Sequence, residues 1–151
     1  MKDNFEKIKE ALKEFGHKYH ACDGQYRRLI GCETTGEVIA VVRDNFGWCC
    51  SPEEARKDLA TIIAGYREEF AAEGVYYNES NDSATYILAD SATVRAYGSA
   101  TVEAYDSAYV NTRSSIECKI SGKAIVRYAL TGVVKFDAKE LQFQTVEHEN
   151  E

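Results

Sequence analysis

Several features that narrow a protein's function are scarce or missing in this 151-residue sequence. Pro52 is the single proline, so a proline-rich linker is excluded. No run of about 18 apolar residues occurs, so a membrane-spanning helix is not expected. The N-terminal stretch MKDNFEKIKEALKEF mixes acidic residues through its length and lacks an apolar centre, so it does not have the pattern of a secretion signal. These absences favour a soluble cytoplasmic protein.

Positive charge is in short supply. Lysine and arginine number 18 against 25 aspartates and glutamates, which gives a net charge of -7 and a pI near 5.1. Such a balance disfavours nonspecific binding to nucleic acid or to an anionic membrane. We therefore expect a protein partner, with no direct contact to nucleic acid or membrane.

The five cysteines do not form a disulfide pattern. Their odd number and the adjacent pair at 49–50 fit a reducing compartment. Zinc prefers thiolate and imidazole ligands, and the residues of these types in the first half are His17, His20, Cys22, Cys32, Cys49 and Cys50. Because no C-x-x-C pair occurs, we expect buried apolar thiols, with no metal and no cofactor, although a zinc site stays open. Cys50 precedes a predicted helix start, which would lower its thiol pKa.

Residues 1–76 are predicted to form a helical N-terminal region. The first helix has apolar residues at helical spacing, namely Phe5, Ile8, Leu12 and Phe15. Thr34 and Glu37 have the spacing of a capping box. Ser51 is predicted as the N-cap of a later helix, with Pro52 at its first position and a stop at Gly74.

The second half of the sequence changes period. From residue 82 to about 137 it divides into eight-residue units, which read DSATYILA, DSATVRAY, GSATVEAY, DSAYVNTR, SSIECKIS, GKAIVRYA and LTGVVKFD. Small and apolar residues occupy the third, fifth and seventh positions, and polar residues dominate between them. Since strand side chains alternate with a period of two, Val94 and Val102 are predicted inside. The larger Tyr86, Leu88, Tyr128 and Phe136 are predicted to plug the two ends.

Two architectures are compatible with this pattern. In a β-solenoid, equivalent strands stack in parallel every sixteen residues, whereas an antiparallel meander would pair Val94 with Val102. A face of alanine and valine makes a poor independent core against another layer, which favours the solenoid. The predicted fold class is α+β, an N-terminal helical segment capping a short two-sided β-solenoid, with a meander packed on helices as the alternative. Residues 77–137 are predicted to form the repeat, and residues 138–151 are predicted to form a terminal strand and an acidic tail.

The run SATVRAYGSATVEAYDSA resembles octapeptide-repeat, β-solenoid-like proteins of gut bacteria and their phages or mobile elements. These proteins carry strings of A-T-V-x-A-Y-(G/D)-(S/N), and the stretch QYRRLIGCETTGEVIAVVRDNFGWC is similar to the helical segment that precedes them. The resemblance is strongest over residues 83–112 and weakens after Ser114. It implies a solenoid-like repeat domain, and it supplies no catalytic residues.

The outward positions of the repeat are the candidate functional surface. Tyrosine and arginine are enriched at protein interfaces, and the predicted interaction surface consists of Arg95, Tyr97, Glu103, Tyr105, Tyr109, Asn111 and Arg113. The alternative is that these residues only stabilise the stacked strands. No nucleophile, base and orienting group come together in the sequence, so catalysis is not expected.

The predicted function is a non-enzymatic protein-interaction module, encoded by a phage or mobile element. Two alternatives stay open. One is an acidic, anti-CRISPR-like inhibitor of a host nucleic-acid-binding defence system. The other is a self-associating structural protein, in which the partner is a second copy of the chain.

Overall fold

The computed structural model describes residues 4–79, 86–96, 100–113 and 116–136. In this part of the chain, six helices precede eight strands, so the α+β class is confirmed. The helices are α1 (Phe5–Lys18), α2 (Asp23–Ile30), α3 (Thr35–Asp44), α4 (Phe46–Cys50), α5 (Glu53–Gly65) and α6 (Arg67–Ala72). The strands are β1 (Val75–Tyr77), β2 (Tyr86–Ala89), β3 (Thr93–Ala96), β4 (Thr101–Ala104), β5 (Tyr109–Thr112), β6 (Glu117–Ile120), β7 (Ile125–Tyr128) and β8 (Val133–Phe136).

The predicted cap of α3 is present. The Thr34 hydroxyl oxygen accepts a hydrogen bond from the backbone N–H of Glu37 at 3.1 Å, which satisfies one of the free donors at the helix start. The Glu37 carboxylate reaches back to the backbone N–H of Glu33 at 3.3 Å. In an ideal capping box this carboxylate accepts from the N-cap residue itself, so the reach here is one residue longer.

The start of α5 differs from the prediction by one residue. Ser51 has a helical backbone (φ -66°, ψ -52°) because it follows directly on α4, and it cannot act as an N-cap in that conformation. Pro52 takes the N-cap position with an extended backbone. The following helix is also interrupted at Tyr66, between α5 and α6. Gly74, at φ +80°, ends α6 as expected.

The strands enter two four-stranded sheets alternately. The first sheet has the order β1-β2-β4-β6 and the second β3-β5-β7-β8. Val94 pairs in parallel with Val110 and Val110 with Val126, in steps of sixteen residues. Val94 therefore does not pair with Val102, as the meander would require. β8 departs from the pattern, since it runs antiparallel to β7 and pairs Phe136 with Ile125.

The inward columns of the repeat form one apolar cluster to which both sheets contribute. Its small side chains allow the two sheets to approach closely, and its buried members are Ile87, Ala89, Val94, Ala96, Ala100, Val102, Ala104, Ala108, Val110, Ile116, Ala124 and Val126. The prediction that the side chains of Val94 and Val102 point inward is confirmed, because both are fully buried.

The predicted end plugs are partly wrong. β2 pairs with β4 in a fifteen-residue step that aligns Ile87 with Val102, so Ile87 points inward. Tyr86 and Leu88 instead pack on the apolar core of the helices. Tyr128 does pack against the inner cluster. Phe136 is 39% exposed, since the reversed direction of β8 places it on the outer side of the second sheet.

Candidate functional site

The helices cover the part of the first sheet's outer face that carries Leu88 and Tyr105, whereas Glu117 on β6 is exposed. Tyr105, directly after β4, is only 1% exposed and belongs to the apolar cluster of the helical half together with Leu88. The guanidinium carbon of Arg56, on α5, lies 4.6 Å from the centre of the Tyr105 ring, which is within the range of a cation–π contact. The prediction that Tyr105 belongs to an exposed surface is therefore wrong. Its ring fastens the helices to the sheet.

Glu103 is also buried, contrary to the prediction. It is 7% exposed and lies in a groove between α3, α4 and the first sheet. Burial raises the pKa of its carboxyl group to about 7, while the nearby charges of Lys119 and Arg56 lower the pKa and that of Glu117 raises it. The groove brings Glu103 close to opposite charges without making it part of an outer surface.

The second sheet presents its outer face to solvent. Two rows of cross-strand neighbours run across it, because paired residues in adjacent strands lie on the same side. Their register places Thr93, Tyr109, Ile125 and Phe136 in one row. The second row holds Arg95, Asn111, Arg127 and Val134.

Arg113 directly follows the last residue of β5, beside this row, and it lines a groove with Tyr128 and Lys135 at the edge of the sheet. The arginine face is the name that we give to nine residues, namely the eight residues of the two rows and Arg113. Thr93, Arg95 and Arg113 are exposed, and Tyr109 and Arg127 are partly exposed.

The arginine face has the opposite sign of charge from the rest of the chain. It carries three arginines, and none of its described residues is acidic, whereas the net charge of the protein is -7. At its centre, the side-chain oxygen of Asn111 is buried and accepts no hydrogen bond from any described residue. An unsatisfied buried acceptor costs about 1–3 kcal/mol. The centre of this face is thus a place where the sequence does not optimise stability.

The structure brings together four of the seven predicted surface residues, which are Arg95, Tyr109, Asn111 and Arg113. Glu103 and Tyr105 lie beneath the helices, and Tyr97 lies outside the described residues. Sequence reasoning missed Ile125 and Arg127, although they occupy the same polar columns in the unit GKAIVRYA. The sequence did not indicate that Val134 would join this face. The repeat places Val134 in an inward column, and only the reversed direction of β8 moves it to the outer side.

Four of the five cysteines are buried or half-buried thiols, whereas Cys22 is accessible, contrary to the expectation of buried thiols. Cys32, Cys49 and Cys50 are buried, Cys118 is half-buried and Cys22 is exposed. Burial raises the pKa of Cys49 to about 12 and also raises that of Cys50. The predicted lowering of the Cys50 pKa is wrong, since α5 begins at Glu53 and the thiol is enclosed.

Among the described residues, no three histidine, cysteine or acidic side chains gather into a group that could hold a metal ion. Across the same ranges, no helix combines the length and the apolar character needed to cross a membrane. Comparisons with models of protein families, with curated proteins and with solved structures found no match. The arginine face must therefore be interpreted from its own chemistry.

Proposed function

We propose that the protein is a non-enzymatic interaction module and that its arginine face binds an acidic patch on another protein. The observation that carries the proposal is a row with two arginines on a solvent-facing sheet, with a third arginine directly after β5, beside a row of mainly aromatic and aliphatic side chains. The sixteen-residue parallel steps and the alternation between two sheets support a short two-sided β-solenoid capped by helices. Such a scaffold holds the face rigid.

The side chains of the face suit a carboxylate-rich partner. A guanidinium group binds a carboxylate through two parallel hydrogen bonds, which adds geometric specificity to the attraction of charge. Tyr109, Ile125 and Phe136 offer apolar area in the adjacent row, and aromatic residues and arginine are enriched at interface centres. Because strands fix the backbone before binding, docking costs mainly the rotamer freedom of the exposed side chains.

A protein partner fits the charge distribution better than nucleic acid does. Duplex DNA carries one negative charge for about every 1.7 Å of its axis, so a bound duplex would extend past the face and meet the acidic remainder of the chain. A local acidic patch on a protein need only match the arginine face. The net charge of -7 then opposes the binding of such a patch much less than it opposes the binding of a duplex.

Differential capture from native host cells tests the proposal. Three proteins are compared: the wild type, a face variant with Arg113→Glu and Arg127→Glu, and a control variant with Lys7→Glu and Arg27→Glu. Lys7 and Arg27 are exposed on α1 and α2, so both variants change the net charge equally. We expect the wild type and the control to capture the same protein after nuclease treatment, and the face variant to lose it. Equal capture by all three, or capture that nuclease abolishes, would contradict the proposal.

The alternative functions remain predictions that further measurements separate. A phage or mobile-element origin and a cytoplasmic site of action belong to the same proposal. Light scattering at high concentration distinguishes a monomeric module from a self-associating structural protein. Capture of a nucleic-acid-binding defence enzyme through the acidic helices, unaffected in the face variant, would favour the inhibitor instead.

A further inference from the structure

We infer that a cavity inside the helical half is a binding site for a small, neutral aromatic molecule that carries one N–H or O–H group. The cavity has a volume of about 230 Å³ and lies among α1, α2, α3 and α4. It lies in the helical half, apart from the arginine face, and is independent of the function proposed for that face. Its wall is largely apolar, with Phe15, Tyr26, Leu29, Val41, Val42 and Trp48 as principal contributors.

The size of the cavity indicates the size of the ligand. An engineered apolar cavity of about 150 Å³ in another protein stays dry and binds benzene. A cavity of about 230 Å³ therefore leaves room for a second fused ring. Drug-sized molecules need pockets of roughly 300 Å³ or more, so larger ligands are disfavoured.

The aromatic residues of the wall favour a flat ring. The rings of Phe15 and Trp48 meet edge to face, with centres 6.3 Å apart and planes at 82°. Aromatic rings prefer such edge contacts, which contribute about 0.5–1.5 kcal/mol beyond the area that they bury. Trp48 is 43% exposed, so this ring stands at the rim and leaves a way in.

Two amide side chains supply the polar contact. The side-chain nitrogen of Asn45 donates to Gln25 Oε1 at 3.1 Å and to the carbonyl oxygen of Val41 at 2.8 Å, which occupies both of its hydrogens. Asn45 Oδ1 and Gln25 Nε2 make no hydrogen bond to any residue that the structure describes. Both residues line the cavity, so an acceptor and a donor are available beside an apolar wall.

Charge excludes an ionic ligand. Among the described residues that line the cavity, none is lysine, arginine, aspartate or glutamate. Burying an unpaired charge in such surroundings is strongly unfavourable. A neutral ring with one N–H or O–H group, as in indole or phenol, satisfies Asn45 Oδ1 without that cost.

Gly16 and Ala21 form the part of the wall where α1 meets α2. A Cβ atom at Gly16 would lie 3.4 Å from Cδ2 of Tyr26 and 3.5 Å from Cβ of Ala21. Both distances are ordinary van der Waals contacts, so this part of the wall is closely packed without being crowded. Ala21, which lines the cavity and is only partly buried, is therefore the position where a larger side chain would fill space with little disturbance.

Calorimetric titration with indole tests the inference. We expect saturable one-to-one binding to the wild type, and binding at least about tenfold weaker to Ala21→Leu, because the added side chain occupies the cavity. Ala11→Leu is the matched control, since Ala11 lies on α1, outside the cavity, and is equally partly buried. It should bind indole as the wild type does. Benzoate should bind at least about tenfold more weakly than indole because it is charged.

A second readout does not depend on heat. Cys22 is exposed and lines the cavity, so bound indole should slow its alkylation, measured by mass spectrometry, in the wild type and not in Ala21→Leu. Circular dichroism confirms that the variants are folded, and Ala21→Val replaces Ala21→Leu if the latter is not. Absence of saturable binding to the wild type, or equal affinity of the filled variant and Ala11→Leu, overturns the inference.

Discussion

Replacing Glu103 by glutamine should stabilise the protein at alkaline pH and change little at acidic pH. Glu103 is 7% exposed in the groove beside α3 and α4, and burial raises the pKa of its carboxyl group from 4.5 to about 7. The native state therefore keeps a proton that the unfolded state releases between these two values. Stability should fall as the pH rises through this window, because a charged carboxylate must then stay buried.

The size of the effect follows from the pKa. One pKa unit corresponds to about 1.4 kcal/mol, so the rise from 4.5 to about 7 corresponds to at most about 3.5 kcal/mol above pH 7. Lys119 and Arg56 already offset part of the cost of burial. Glutamine has nearly the same shape and no charge, so the variant avoids the penalty that remains.

Urea unfolding at pH 5, 6, 7 and 8, followed by circular dichroism, measures the difference between the variant and the wild type. We expect the gain in the free energy of unfolding to be small at pH 5 and to approach about 3 kcal/mol at pH 8. Glu14→Gln is the control, since Glu14 is exposed on α1, away from Glu103. A gain for Glu103→Gln that is the same at every pH would refute the reasoning.

Two further substitutions probe the packing of the fold by urea unfolding. Tyr105→Ala should lower the free energy of unfolding by about 3–5 kcal/mol, because the fully packed ring over Arg56 is lost. Tyr105→Phe should cost much less, and equal costs would contradict the packing role. Gly122→Ala should cost at least about 1 kcal/mol more than Gly132→Ala. Both glycines have positive φ, but only at Gly122 would the new Cβ meet the backbone N of Asp106, at 3.0 Å. A smaller cost at Gly122 would contradict the stacking of these turns.

The period of the sequence predicts the inside of the two sheets well. Alternation with a period of two is a local property of any strand, and it correctly places residues such as Val94 and Val102 in the core. The cap at Thr34 is likewise local, and it is present. These features are predictable because they depend on neighbours in the chain.

The repeat does not indicate which of the two sheets has its outer face covered by the helices. The units TVRAY and TVEAY are almost identical, yet Arg95 is exposed and Glu103 is buried. The difference arises because the helices pack on one sheet only, which is a long-range effect. The reversal of β8 also escaped prediction. It follows the turn around Gly132, where φ is +73° and the backbone N–H donates to the Tyr128 carbonyl at 2.8 Å.

The most direct test of the arginine face is the affinity for the captured partner after both proteins are purified. Calorimetry compares the wild type, the face variant with Arg113→Glu and Arg127→Glu, and the control variant with Lys7→Glu and Arg27→Glu. Reversing charges that pair with a partner's carboxylates should weaken binding at least about a hundredfold. The control should bind within a few-fold of the wild type. Equal affinity of the face variant and the control would contradict the account.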